Sequence, residues 1–275
     1  MLRAITLSGL LVTVASLCFS TSAVAQEANP KTGKTLDMKR PAKRVTGVQV
    51  IGGKRVNGTV WPATFLFFDA KGRRCTATAV GERTVLTAAH CVENGQSATM
   101  KVDDAKGAID LVCDHHPDYV KDPSADYALC FTSRAIGMNP VRYETIDLSK
   151  EQIEKDRPIT LLGFGCLTTA GVDDNMFLYE GEAKIGSTNT HNWVVTVGAG
   201  VCFGDSGGGA YSKSNGNDKL RRLIAVNSRG NISTDSWLST TSSPGFESWA
   251  RKWREADAVK ICGVHIAGGI ENCHK

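Results

Sequence analysis

Gly204-Asp205-Ser206-Gly207-Gly208 is the stretch of this 275-residue chain that reveals most about its fold. Three of the five residues are glycine, which permits backbone dihedral angles that other residues avoid. A tight turn of this kind can aim several backbone N–H groups at one point, and Gly204 and Ser206 are the candidate donors. The serine is a candidate nucleophile, but its hydroxyl is inert at neutral pH unless a base takes its proton.

Two upstream segments can supply that base and its partner. Leu86-Thr87-Ala88-Ala89-His90-Cys91 contains a histidine, and Asp126-Tyr127-Ala128-Leu129 begins with a carboxylate. Acyl transfer through a serine needs a base and a carboxylate that orients the base and balances its charge. His90, Asp126 and Ser206, in that chain order, fit these three roles.

The rest of the chain reads as β structure. Glycine occurs 28 times, and short runs rich in Val, Ile, Thr and Phe alternate with Gly, Asp and Asn clusters. These runs lie at 64–68, 76–80, 84–87, 159–162, 193–197 and 223–226. Residues 246–253 are amphipathic, with three aromatic residues on one face, and predict a late helix.

The motifs resemble the chymotrypsin/trypsin-like serine endopeptidase family over residues 50–253. Val50-Ile51-Gly52-Gly53 resembles the mature N-terminus of the family, and His116-Pro117-Asp118-Tyr119 the segment before the catalytic Asp. The resemblance implies an all-β fold of two packed six-stranded antiparallel β-barrels (chymotrypsin-like) with a C-terminal helix. It also implies that Ser206 forms an acyl-enzyme, His90 is the general base, and Asp126 orients it.

By the same resemblance, Gly204 and Ser206 form the oxyanion hole, and Ser228 supports Asp126. The chain is expected to be a zymogen, in which cleavage frees Val50 to form an ion pair with Asp205. Gln49, and not Arg or Lys, precedes Val50. A trypsin-like activator would instead cut after Arg44, so a mature start at Val45 stays open.

The expected substrate-binding residues are Gly200, Val201, Asn227, Ser228 and Gly230. Gly200 stands six positions before Ser206, where cleavage after Arg or Lys would require an acidic residue. We therefore expect a preference for small to medium uncharged residues. Arg229 replaces an aromatic residue of the family, which leaves the neighbouring subsites open and could attract acidic side chains.

Eight cysteines follow the leader, and an even number in an exported chain indicates disulfides. The resemblance pairs Cys75–Cys91, and bacterial members of the family suggest Cys166–Cys202. The remaining cysteines would then pair as Cys113–Cys130 and Cys262–Cys273.

The chain divides into a signal peptide at 1–25, a propeptide at 26–49, a peptidase domain at 50–256 and a disulfide-closed tail at 257–275. Residues 26–49 carry six basic and two acidic side chains, whereas the rest after them is close to neutral. This excludes a general attraction to nucleic acid or membrane. We expect a secreted monomer, extracellular or periplasmic, that acts on proteins or peptides, with an activating protease as a further partner.

The sequence is less consistent with other kinds of protein and site. A protease-like binding protein with a dead site would lack a triad residue, and an α/β-hydrolase would have the order Ser, Asp, His. His115-His116 with Asp118 could bind a metal, but a surface segment of the family is the simpler interpretation. Cys18 after Leu17 is a poor lipoprotein signal. No cofactor and no metal is expected.

Overall fold

A computed structural model describes residues 50–103, 107–138, 142–166, 176–188, 192–214, 217–266 and 273. The predicted signal peptide and propeptide lie outside these ranges. The strands are β1 (Lys54–Arg55), β2 (Thr64–Asp69), β3 (Arg74–Gly81), β4 (Thr84–Thr87), β5 (Ser97–Asp103), β6 (Gly107–His115), β7 (Ala128–Thr132), β8 (Pro158–Gly163), β9 (Tyr179–Thr188), β10 (Trp193–Gly198), β11 (Gly209–Ser214), β12 (Asn217–Gly230) and β13 (Asp235–Thr240). The α-helix is α1 (Pro244–Lys252), and short 3₁₀ helices cover Ala89–Cys91, Pro117–Val120, Lys150–Ile153 and Glu255–Asp257.

The first barrel closes in the order β2-β3-β4-β7-β6-β5. Every neighbouring pair in it is antiparallel, and β2 pairs with β5 to complete the circle. The strands β3 and β4 are buried along almost their whole length, whereas β6 alternates between buried and exposed residues. Buried Phe67, Leu86 and Met100 belong to its core. Closure leaves the barrel without an open edge.

The second barrel is built from β8 to β13. Its sheet runs β1-β9-β10-β13-β12-β11-β8, and an additional pairing between β8 and β9 closes six of the strands into a ring. The two-residue β1 adds to β9 outside the ring, where Lys54 pairs in register with Glu180 and forms an ion pair with it. The predicted fold of two six-stranded antiparallel barrels is therefore confirmed, with β1 as an extra strand.

The late helix is also confirmed, and it begins two residues before the predicted start. The Ser243 hydroxyl caps it by accepting the N–H of Phe246 at 3.1 Å, and Pro244 occupies the first turn, where its missing N–H costs nothing. Phe246 is fully buried, and its ring lies 4.9 Å from that of Tyr127, the residue after Asp126. The helix thus packs directly behind one of the candidate site residues.

The chain beyond the helix packs on the first barrel. Val259, Ile261 and Val264 are buried in the core of that barrel. The Cys262 N–H donates to the Val80 carbonyl at 2.8 Å, so the tail is bound to β3 through its backbone. None of the helices in the described ranges is both long enough and apolar enough to cross a membrane.

Four disulfides hold these elements together. They join Cys75 to Cys91, Cys113 to Cys130, Cys166 to Cys202 and Cys262 to Cys273. The second of these links residues that face each other in register on β6 and β7. The first ties the beginning of β3 to the turn that carries His90.

Candidate active site

His90 and Asp126 form a direct, two-point contact. Asp126 lies just before β7, and His90 lies in the short 3₁₀ turn that follows β4. The backbone N–H of His90 donates to Asp126 Oδ1 at 2.9 Å, and His90 Nδ1 lies 2.7 Å from Asp126 Oδ2. Because an ionised carboxylate can only accept, Nδ1 carries the proton in this pair. The other ring nitrogen, Nε2, is then the basic one.

Ser228 completes this arrangement from the second barrel. Its hydroxyl donates to Asp126 Oδ2 at 2.6 Å, and Asp126 is fully buried. Burial by itself raises the pKa of the Asp126 carboxyl, but the charge of His90 and the hydrogen bonds from His90 and Ser228 outweigh it. The pKa of Asp126 is therefore lower than its ordinary value, and the carboxylate stays ionised beside the imidazole.

The Ser206 loop is attached to the first barrel through Thr76 of β3. The Thr76 N–H donates to the Ser206 carbonyl at 2.8 Å, and the Thr76 hydroxyl donates to the Gly204 carbonyl at 2.7 Å. The same hydroxyl accepts the N–H of Phe164 at 3.0 Å. One buried threonine thus joins the candidate nucleophile loop to the barrel that carries His90.

Gly207 brings the loop close to the His90 segment. Its φ is +81°, and a Cβ atom built on it would lie 2.0 Å from the Thr87 hydroxyl and 3.0 Å from the Ala88 nitrogen. Only glycine allows the Ser206 loop to approach Thr87 and Ala88 this closely, and Ala88 is two residues before His90. The loop that carries Ser206 therefore lies directly against the segment that carries His90.

The backbone N–H groups of the loop fall into two classes. Those of Asp205, Gly207 and Gly208 donate to carbonyl groups of the protein at 2.8–3.0 Å. Within the described residues, the N–H groups of Gly204 and Ser206 have no acceptor. The φ of +100° at Gly204 again requires glycine. The loop therefore contains two available donors next to the serine.

Asp205 is fully buried behind the loop. The N–H of Gly165 donates to its Oδ1 at 2.7 Å, and the N–H of Cys202 donates to its Oδ2 at 2.8 Å. Gly163 and Gly165 must be glycine because a Cβ atom at either would lie within 2.4 Å of the carboxyl group. Burial raises the pKa of Asp205 to about 7, although both hydrogen bonds and the charge of Arg74 act in the opposite direction.

Val50 and Asp205 do not form an ion pair in this uncleaved chain, since the nitrogen of Val50 is part of the peptide bond to Gln49. Val50 is buried and packs against Gly181 of β9, with a φ of +30° that is unusual for valine. Gly181 faces Leu161 of β8 in register, and Asp205 packs on Gly163, two residues further along β8. Because residues i and i+2 share one face of a strand, Val50 and Asp205 lie on the same face, roughly 7 Å apart along it.

The residues expected to bind substrate form two segments in close contact. A Cβ atom on Gly200 would lie 2.5 Å from the Ser233 carbonyl oxygen, and one on Gly230 would lie 2.8 Å from the Val201 side chain. Val201 is itself buried. Asn227 does not point into this space, because its amide donates to the Leu162 carbonyl at 2.9 Å. The segment around Gly200 and Val201 is therefore in direct contact with the segment around Gly230 and Ser233.

One possible metal cluster occurs in the described part of the chain, and it lies at this site. Cys75, His90 and Cys91 bring their ligand atoms within 4.8 Å of one another, but the two cysteines are joined in a disulfide. The second possible metal site, His115-His116 with Asp118, has ring nitrogens engaged with the protein itself. His115 Nε2 lies 2.7 Å from the Val92 carbonyl, and His116 Nδ1 accepts the N–H of Asp118.

Two residues of the site were not expected from the sequence. Thr76 anchors the loop, and Arg74 lies beside it, with Nε 3.2 Å from the position of a Cβ atom on Gly204. Thr76 is 128 residues from Gly204 in the chain, and its local pattern is that of an ordinary strand residue. The only available signal was that both residues flank Cys75, the expected disulfide partner of Cys91.

Comparison with known proteins agrees with this geometry. The sequence profile of the trypsin family, described as Trypsin, matches residues 50–243. No curated protein matches the chain by sequence. Among solved structures, mouse neuropsin, a serine protease expressed in the limbic system of the brain, is similar with a TM-score of 0.59 and 21% identity, over 73% of this chain and 97% of that one. The neuropsin likeness reflects a shared fold, whereas the profile covers most of the chain, so the chain belongs to the trypsin family and is a serine endopeptidase.

Proposed function

We propose that the chain hydrolyses peptide bonds through an acyl-enzyme on Ser206. In this mechanism His90 Nε2 takes the proton of the Ser206 hydroxyl as its oxygen attacks the peptide carbonyl carbon. Asp126 holds the imidazole by Nδ1 and stabilises its positive charge. His90 then gives the proton to the leaving amine, and water repeats the sequence to release the acid. The observation that carries the proposal is the 2.7 Å contact between His90 and a buried, ionised Asp126.

The oxyanion of the tetrahedral intermediate would bind to the N–H groups of Gly204 and Ser206. Their lack of an acceptor among the described residues supports this role, because a donor already bonded to protein could not serve. The extended substrate would pair with the backbone of Gly230 as an added strand. No step requires a metal or cofactor.

We also propose that the chain is made as a zymogen and that cleavage before Val50 activates it. A free ammonium group at Val50 would be able to reach Asp205 along the face of β8 and β9 that they share. A buried carboxylate gains strongly from such a partner, since its charge is costly when unpaired. Asp205 precedes Ser206, so this pairing would fix the position of the oxyanion donors. A mature start at Val45 would leave Val50 without an ammonium group.

The primary specificity is proposed to be for small to medium uncharged residues. The buried Val201 side chain, which lies against Gly230, supports this, because it presents an apolar and not a charged group there. No carboxylate stands at Gly200 to bind Arg or Lys.

The four disulfides support export to the periplasm or the medium, and the Cys166–Cys202 bridge supports a bacterial-type member of the family.

The direct test is labelling with a fluorophosphonate probe. A recognition sequence for a site-specific protease is placed directly before Val50 in the full chain, which is then cleaved. We expect the probe to be found on Ser206 by peptide mass spectrometry, and not in Ser206→Ala. Ser149→Ala, an exposed serine in a loop, is the matched control and should label normally. A correctly cleaved, folded chain that does not label would favour the dead-site binding protein.

A further inference from the structure

Two arginines lie at the candidate site, and the mechanism uses neither of them. Arg74 begins β3 directly before Cys75, whose disulfide partner Cys91 follows His90. Its Nε lies 3.2 Å from the position of a Cβ atom on Gly204, so its half-buried side chain runs over the loop that carries Ser206.

Arg229 lies on the other side, directly after Ser228. Its Nε is 3.5 Å from the Ser228 hydroxyl, and its Nη2 is 3.5 Å from the Pro123 carbonyl. The guanidinium also lies 4.8 Å from the centre of the Trp193 ring. These contacts hold a half-buried cation beside the strand that leads to Gly230.

A bound peptide would pass both arginines. The part before the scissile bond pairs with Gly230 and therefore runs beside Arg229. With its carbonyl oxygen at the N–H groups of Gly204 and Ser206, the scissile bond would lie beside the loop that Arg74 covers. The part after the bond would continue away from Gly230 and therefore pass Arg74 at the start of β3. The two guanidinium groups thus flank the bond to be cut, one on each side.

We propose that this cleft selects peptides with Asp or Glu on both sides of the scissile bond, Arg229 reading the preceding residues and Arg74 the following ones. A guanidinium binds a carboxylate through short, charge-assisted hydrogen bonds with a matching planar geometry. It has five N–H donors, so a substrate carboxylate can be added while the contacts with the protein remain. Half-buried charges are also screened less by salt than exposed ones. This inference rests on the proposed peptidase activity.

The test uses matched peptides that all keep the same small uncharged residue directly before the cleaved bond. They differ only in carrying Glu or Gln at the second and third positions on one side of that bond. For the activated chain we expect kcat/KM to be at least about 10-fold higher for Glu on either side, as one charged hydrogen bond would give. Arg229→Gln should remove the preference before the bond and keep the one after it. Arg74→Gln should do the reverse. Arg73→Gln, which changes a neighbouring arginine paired with Asp69 at 2.6 Å, should keep both preferences.

Equal cleavage of Glu and Gln peptides by the unchanged chain would overturn this inference. An acidic preference that survives both Arg74→Gln and Arg229→Gln would overturn it as well. In either case Ser206 would still be labelled by the fluorophosphonate, and the proposed function would stand. If no peptide is cleaved and Ser206 is not labelled, both proposals are wrong.

Discussion

The two halves of the candidate active site are in different states. In the half formed by His90, Asp126 and Ser228, each polar contact is short, and the central carboxylate is buried and ionised. In the other half, the backbone N–H groups of Gly204 and Ser206 have no acceptor among the described residues. Behind them, Asp205 has a pKa of about 7 and is bonded only by two backbone N–H groups in that part of the chain.

For the proposed zymogen, this difference identifies the half of the site that cleavage would complete. His90 follows β4, Asp126 precedes β7 and Ser228 lies in β12, so the two barrels fix the positions of all three. The nucleophile lies in a glycine-rich loop whose buried carboxylate has no ammonium partner in the uncleaved chain. We infer that the acid–base half is complete before cleavage and that the nucleophile half is completed by it.

The largest effect is expected at Ser206. Ser206→Ala should lower kcat/KM of the cleaved chain by about 10⁴- to 10⁶-fold, because the alanine cannot form the acyl-enzyme. The melting temperature should stay within about 2 °C, since only one oxygen is removed. Peptide hydrolysis and thermal unfolding, measured on the same preparation, check both statements. Retention of activity in the alanine variant would exclude Ser206 as nucleophile.

The next effects separate the two partners of His90. Asp126→Asn should lower kcat by about 10⁴-fold, because the amide favours the wrong imidazole tautomer. Ser228→Ala removes one hydrogen bond to the carboxylate and should cost only about 10-fold. With that bond lost, the pKa of Asp126 rises, so the acidic limb of the pH–rate profile should move to higher pH. An unchanged profile in Ser228→Ala would mean that Ser228 does not support Asp126.

The fold was more predictable from the sequence than the site. Runs such as 76–80 and 193–197 are apolar and β-branched, and they lie in β3 and β10. The strand β6 was missed because its alternation includes Asp110 and Asp114, and a half-exposed strand has only a weak signal. Thr76 could not be identified, since its contacts with the Ser206 loop arise only when two barrels pack together.

The pH dependence of stability tests the half of the site that contains Ser206 and Asp205. In the uncleaved chain its folded pKa of about 7 exceeds its ordinary value of 3.8, so the folded state binds the extra proton. The contribution of Asp205 to the free energy of unfolding is therefore fully present below pH 4 and is lost as the pH rises through about 7. Asp205→Asn should remove this loss, measured as the free energy of unfolding in urea between pH 4 and 8. After cleavage this loss should disappear from the unchanged chain between pH 4 and 8, because the Val50 ammonium would keep the carboxylate ionised in the folded state over that range.

The control is the difference in free energy of unfolding between the uncleaved unchanged chain and uncleaved Asp205→Asn. If this difference did not vary with pH, Asp205 would not titrate in this range. If cleavage left the pH dependence of stability unchanged, the ion pair with Val50 would not form.

The smallest effect is expected from the anchor of the loop. Thr76→Val keeps the shape of the side chain but leaves the Gly204 carbonyl and the Phe164 N–H without their partner. We expect the free energy of unfolding to fall by about 1–3 kcal/mol and Ser206 labelling to slow. Thr99→Val on β5 is the matched control and should change neither. Normal labelling in Thr76→Val would mean that this anchor does not position the nucleophile.

The most direct measurement is the rate of fluorophosphonate labelling at Ser206 before and after cleavage between Gln49 and Val50. We predict that cleavage raises this rate by about 10²-fold or more, the effect of forming an oxyanion hole, and that Asp205→Asn abolishes the increase. Equal labelling rates before and after cleavage would contradict the claim that the Ser206 loop becomes fully active only when Val50 is the N-terminus.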